Sequence, residues 1–188
     1  MVIIIDNYDS FTQNLVQCIG NLGYKITVAR NDEISIEDIR KIHPTHIILS
    51  PGPGKPENSG ICLEIIKTYS NQIPILGICL GHQGIGYTYK GEIEQMNIPM
   101  HGKVSKIIHN QQDIFKELPN SFKATRYHSL IISNFKFPDN LEITAWTSSG
   151  LIMGCRHKTY KHLRGIQFHP ESLWTEEGQC ILQNFLLS

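Results

Sequence analysis

The stretch that most constrains this chain is Pro74-Ile75-Leu76-Gly77-Ile78-Cys79-Leu80-Gly81-His82-Gln83. The apolar run over residues 73–78 reads as a buried strand that breaks at Cys79. Glycines stand two residues before and two residues after the cysteine. The layout is that of a strand-to-helix elbow, with Cys in the place a hydrolase gives to Ser. Such a turn forces its central residue into a strained backbone conformation, and side chains two residues away on either side would collide. It also leaves the sulfur exposed at the strand's end, in front of a helix N-terminus that favours thiolate over thiol. The competing expectation is a small buried hydrophobe at a packed turn.

An elbow needs a sheet behind it, and the first half of the chain supplies the pattern of one. Val2–Asp6, Tyr24–Ala29, His46–Leu49 and Ile73–Ile78 read as strands. Between them, Phe11–Leu22, Ile36–Lys41 and Ile61–Tyr69 carry helical spacing, and Gly23 is placed to end the first helix. Strand–helix alternation predicts an α/β fold with a mostly parallel central sheet flanked by helices. The second half is richer in short strands: Val104–His109, Phe122–Arg126, Leu141–Thr147, Leu151–Arg156 and Leu163–Gln167. They predict a smaller antiparallel portion, followed by an amphipathic helix over Glu176–Leu187. No repeat or linker divides the chain, so a single domain over residues 1–188 is expected.

Charge and cysteine usage narrow the function classes. The 17 basic and 17 acidic residues cancel, which argues against a nucleic-acid or anionic-membrane footprint. No apolar run approaches the roughly 20 residues that span a bilayer. The apolar start, Met1 to Ile5, lacks the basic flank and length of a signal or transit peptide. Five scattered cysteines without a CxxC fit a soluble, reducing compartment with free thiols, either cytoplasm or, if the gene is an organelle's, plastid stroma. The abundance of Ile, Lys and Asn suggests an AT-rich coding genome. Nine histidines show no HxxxH or HExxH pair, so no metal site is expected.

Two further stretches fall at predicted strand ends, where a parallel sheet gathers its ligands. In Ser50-Pro51-Gly52-Pro53-Gly54 the glycines let backbone amides turn toward a ligand, as an oxyanion hole requires, although a plain Pro-Gly turn would read the same. In Gln167-Phe168-His169-Pro170-Glu171 an imidazole and a carboxylate lie two apart, the base and orienting acid that a cysteine nucleophile needs. Arg126-Tyr127-His128-Ser129-Leu130 reads as an isolated polar break among strands, most simply a turn, whose backbone could hold a small polar ligand.

Gly77–Gln83, Ser50–Gly54 and Gln167–Glu171, in this order, resemble the class I (triad) glutamine amidotransferases, whose fold is flavodoxin-like. Asp6–Thr12, Met100–Lys103 and Arg126–Leu130 narrow the resemblance to the amidotransferase components of anthranilate synthase and aminodeoxychorismate synthase. The resemblance runs the length of the chain. It implies a glutaminase with Cys79 as nucleophile, His169 as acid and base, and Glu171 orienting the imidazole. It also implies an oxyanion hole from the Leu80 amide and an amide within Gly52, Pro53 and Gly54, with Gln83, Ser129 and Leu130 binding glutamine. Ammonia would pass to a larger chorismate-using component, making anthranilate for tryptophan or, alternatively, aminodeoxychorismate for folate. No cofactor is implied in this chain, and Mg2+ is implied in the partner. Asp6–Thr12 and Met100–Lys103 are candidate contact or signalling positions. Outside this reading stand a γ-glutamyl peptidase and a redox-sensing module with Cys79 as an oxidisable thiol.

Overall fold

Strands buried on both faces need apolar residues at every position, and β1 (Val2–Asp6) has them. Residues 2 and 4 face one core and residues 3 and 5 the other. Each isoleucine fully buried there contributes about 1.5–3 kcal/mol relative to exposure. The structure is a computed structural model. It describes residues 1–188, with side chains throughout apart from residue 97.

The chain runs on through α1 (Thr12–Asn21), β2 (Ile26–Arg30), α2 (Ile36–Ile42), β3 (His46–Leu49), α3 (Cys62–Tyr69), β4 (Ile75–Ile78) and α4 (Leu80–Thr88). Then come β5 (Ile93–His109), β6 (Ser121–Ile132), β7 (Leu141–Thr147), β8 (Ile152–His157), β9 (Leu163–Ile166) and α5 (Gly178–Leu186). All nine strands form one sheet in the order β2-β1-β3-β4-β9-β8-β7-β5-β6. The first five pair in parallel, and the rest pair antiparallel from β9 outward. Leu15 and Ile19 of α1, with Phe185 of α5, pack on one face. Ile39 of α2, Ile65 and Ile66 of α3, and Ile85 of α4 pack on the other.

The predicted α/β architecture is present, and the antiparallel portion is larger than expected. Two predicted strands are short pieces of long ones: β5 has 17 residues and β6 has 12. Arg126–Leu130 is therefore not a turn but the middle of β6, at a place where its register with β5 shifts. Its polar character comes from facing a cleft instead of a core. The same register shift takes in the Met100–Lys103 stretch of β5.

Candidate active site

β4 delivers Cys79 to the carboxyl end of the parallel strands, and α4 begins at the next residue. Cys79 has φ 52° and ψ −99°, a conformation that L residues rarely adopt. Its backbone N–H donates to the Ile166 carbonyl at 2.8 Å, which ties the elbow to β9. The flanking glycines are required by contact: a Cβ on Gly77 would lie 2.5 Å from the Gly81 carbonyl. One on Gly81 would lie 2.6 Å from the Leu49 carbonyl oxygen. The Leu80 amide stands in the first turn of α4, where N–H groups have no intrahelical partner.

The Ser50–Gly54 loop is held by Asn7. The Asn7 N–H donates to Ser50 Oγ at 2.8 Å, and its side-chain amide donates to the Ser50 carbonyl at 2.8 Å. Asn7 Oδ1 in turn accepts from Asn31 Nδ2 and from the Cys62 thiol. A Cβ on Gly52 would meet Asn7 at 2.5 Å, and Gly54 has φ +84°. Asp6 fixes the preceding turn, accepting from Thr12 Oγ1 at 2.7 Å and pairing with Arg30 at 2.9 Å. The Asp6–Thr12 stretch thus has a structural task beside the site: it sets the loop that carries Gly52 and Gly54. Pro53, having no N–H, can serve the loop only as wall and brace.

Gly52, Pro53, Gly54, Cys79, Gln83, Ser129 and Leu130 line one cleft of about 160 Å³. His101, Tyr127 and His128 line it as well; they lie in stretches the sequence singled out, but without roles of their own. His169 and Glu171 lie buried beside it. His169 Nδ1 meets Glu171 Oε1 at 2.6 Å, which points Nε2 the other way. Nε2 is buried without a hydrogen bond of regular geometry, the loose arrangement common before substrate binds. The Cys79 sulfur is nonetheless near enough to act on the imidazole's charge. Burial alone would lower the His169 pKa. Hydrogen bonding and charge from Cys79 and Glu171 outweigh it and push the value up to about 10. A cationic imidazole beside the sulfur stabilises negative charge there.

The imidazole is walled by aromatic rings that sequence reasoning did not assign. Phe11 and Tyr127 meet it edge-on at 6.0 and 5.1 Å between ring centroids. The loop after it is clipped to β6: the His169 N–H donates to the Thr125 carbonyl at 3.1 Å. Thr175 Oγ1 donates to the His169 carbonyl at 2.6 Å. Gly178 lets α5 start against this loop, because a Cβ there would overlap the Pro170 carbonyl. Gln83 lines the cleft, its nitrogen donating to the Leu130 carbonyl at 3.0 Å, and its oxygen has no hydrogen-bond partner among the described residues. The ensemble has the parts acyl transfer needs: a thiol, an imidazole held by a carboxylate, and backbone N–H groups on two sides. Among the described residues no group of His, Cys, Asp and Glu is arranged to hold a metal ion. Likewise, no helix is long and apolar enough to cross a membrane.

The glutamine amidotransferase class-I family model matches residues 3–188. The anthranilate synthase component 2 of Pyropia yezoensis is 62% identical over 186 residues, covering 99% of this chain and 98% of that one. Its counterpart from Porphyra purpurea is 60% identical with the same coverage. Among solved structures, a Thermoplasma acidophilum protein described as a GMP synthase subunit superposes with a TM-score of 0.85 at 26% identity. That match covers 98% of this chain and 91% of the other.

Proposed function

The chain belongs to the class-I glutamine amidotransferase family, and from that premise we propose that it is the glutaminase subunit of an anthranilate synthase. Cys79, His169 and Glu171 carry the chemistry. The observation that supports this most directly is the meeting of a strained elbow cysteine with a carboxylate-held imidazole at one cleft. The Cys79 thiolate attacks the side-chain amide carbon of glutamine, forming an S–C bond. The oxyanion sits between the Leu80 amide and an amide of Gly52 or Gly54, fixed before the charge develops. The C–N bond then breaks, and the His169 Nε2 proton goes to the departing nitrogen as ammonia leaves. Water attacks the thioester and gives a proton back to His169, and glutamate departs as the thiolate re-forms. Ser129, Leu130 and the free oxygen of Gln83 hold the amino-acid end of the substrate.

These steps balance without a cofactor in this chain. Ammonia then goes to a chorismate-using component that is a separate protein, and Mg2+ belongs with that partner. Leu173 and Trp174 support a docking partner beside the site: they lie just after Glu171 and are 90% and 67% exposed. Free cysteines fit a reducing compartment, cytoplasm or plastid stroma.

The test reconstitutes the chain with a chorismate-using component and follows product fluorescence. Cys79→Ala is expected to lower glutamine-dependent anthranilate synthesis by about 10³-fold or more, leaving synthesis from ammonium salts intact. A variant that keeps its glutamine-dependent rate would sink the assignment of Cys79. Aminodeoxychorismate as the product, with no anthranilate, would overturn the choice of partner alone.

A further inference from the structure

His169 is one neighbour of the Cys79 sulfur; two others have no role yet. The Cys79 thiol donates to the Tyr127 carbonyl at 3.9 Å, and Gln167 Nε2 lies 3.5 Å from Cys79 Sγ. Gln167 is fully buried and follows the last residue of β9, two positions before His169. Which end of a glutamine amide faces a neighbour has to be inferred from its partners, and here the partners fix it. The Leu130 carbonyl can only accept, so the Gln83 atom 3.0 Å away is its NH2 group. That same NH2 group lies 3.3 Å from Gln167, so the Gln167 atom it meets is the carbonyl oxygen. The remaining end of Gln167, the one aimed at sulfur, is therefore a donor.

The Leu130 carbonyl, from which this chain of bonds starts, is itself anchored. Arg126 is buried, with no carboxylate among its hydrogen-bond partners, and its Nε–H donates to His128 Nε2 at 3.0 Å. A guanidinium cannot accept, so His128 Nε2 is unprotonated. Its proton sits on Nδ1 and is donated to the Leu130 carbonyl at 3.1 Å. Burial and the Arg126 charge keep this imidazole neutral, with a pKa pulled down to about 3. The Leu130 carbonyl thus accepts two hydrogen bonds, from Gln83 and from His128, which hold its orientation.

We propose that Gln167 is a further catalytic residue: its amide N–H donates to the Cys79 thiolate and holds it in the attacking position. Gln83 acts as the positioning residue that sets which end of Gln167 faces the sulfur. The inference rests on Cys79 being the nucleophile of the reaction proposed above. A hydrogen bond made to the charged form favours that form, so losing it raises the pH at which the sulfur becomes reactive. Gln83 then has two tasks: its oxygen faces substrate and its nitrogen orients Gln167.

The experiment follows alkylation of Cys79 by chloroacetamide in the full chain without glutamine, read at the Cys79 peptide by mass spectrometry across pH. Gln167→Met, of similar size and without a donor, should slow alkylation about tenfold at and below neutral pH and reach the wild-type plateau in alkali. Gln83→Met should reproduce part of that loss, and the double variant should be no slower than Gln167→Met alone. Thermal melts show which variants are folded, and Gln83→Met keeps the inference testable if Gln167→Met unfolds. A folded Gln167→Met with the wild-type pH profile would overturn the inference even if glutamine turnover had fallen. So would a Gln83→Met that raised KM for glutamine and left the profile in place. Conversely, a wild-type chain that fails to hydrolyse glutamine with its partner, yet shows the predicted profile changes, would sink the functional reading and leave this one standing.

Discussion

The protein contains two cysteine–histidine encounters with opposite outcomes. At the strand ends, Cys79 faces His169. Between α4 and the sheet, the Cys155 sulfur lies 3.4 Å from His82 Nδ1. The residue types are the same, and the inner pair is the closer match to a drawn hydrogen bond. Yet burial pulls His82 down to about 3 and pushes the Cys155 thiol up to about 12. His169, nearly as buried, is pushed up to about 10 because a carboxylate and a sulfur face it. Reactivity here is a property of what stands behind the imidazole. The outer pair has Glu171 and the backbone N–H groups of α4; the inner pair has only the sheet.

The sharpest way to break this comparison is to remove what differs. Glu171→Gln leaves Cys79 and His169 in place and takes away the charge. Glutaminase kcat is expected to fall by about 10²–10⁴, as when the orienting acid of a serine triad is replaced. Cys155→Ala should leave kcat within about threefold and cost only about 1 kcal/mol of stability. Comparable kcat losses in both variants would show that the inner pair takes part in the chemistry.

Two glycines of the same segment sharpen the comparison at the level of backbone. Gly81→Ala would press a methyl against the Leu49 carbonyl at 2.6 Å, whereas Gly84→Ala finds only side chains at 3.5 Å or more. The first should lower stability by about 1–3 kcal/mol and displace the nucleophile, a loss readable both by denaturant melt and by kcat. The second sits in mid-helix with room, and should be neutral or stabilising by up to about 1 kcal/mol. Equal stabilities would refute the close approach.

A last contrast lies in the pH dependence of stability, where the two histidines pull in opposite directions. His169 has a raised native pKa, so its contribution is complete below about 6.5, the unfolded value, and is lost as pH rises toward 10. His82 has a lowered native pKa: the unfolded chain takes up a proton near 6.5 that the native state refuses until about 3. It therefore destabilises the fold as pH falls through that window. Melting temperatures should decline by several degrees on both flanks. His169→Gln should flatten the alkaline flank, and His82→Gln should reduce the acid one, leaving the share that His128 contributes. Flanks that each variant leaves unchanged would remove the pKa contrast on which the comparison stands.

What could be read from the chain alone follows from how local each feature is. Gly77, Cys79 and Gly81 announce an elbow because a single turn demands all three. His169 and Glu171 are two residues apart and carry their relation with them. Gln167 stood in plain view beside them but gains meaning only when β6, α4 and β9 meet, which no local pattern states. Phe11 and Tyr127, the walls of the imidazole, come from elements more than 100 residues apart in sequence. Arg126–Leu130 misled for a physical reason. A strand that lines a polar cleft reverses the expected alternation, so the residues that mark the site also disguise the strand. Long β5 was hidden in the same way by Pro99 and Gly102, which break the apolar pattern where its pairing shifts.

The place of β9 in the sheet has a consequence for synthesis of the protein. It is the last strand along the chain but the fifth of nine across the sheet, inserted between β4 and β8. The elbow at Cys79 leans on it through the Ile166 carbonyl, and His169 follows three residues later. A ribosome therefore releases Cys79 about 90 residues before His169, at translation rates a delay of some 5–20 s. Throughout that interval β4 has only β3 beside it and Cys79 lacks its imidazole. On the proposed function, a half-made chain would carry Cys79 without His169, and the pair would be completed only by the closing of the sheet.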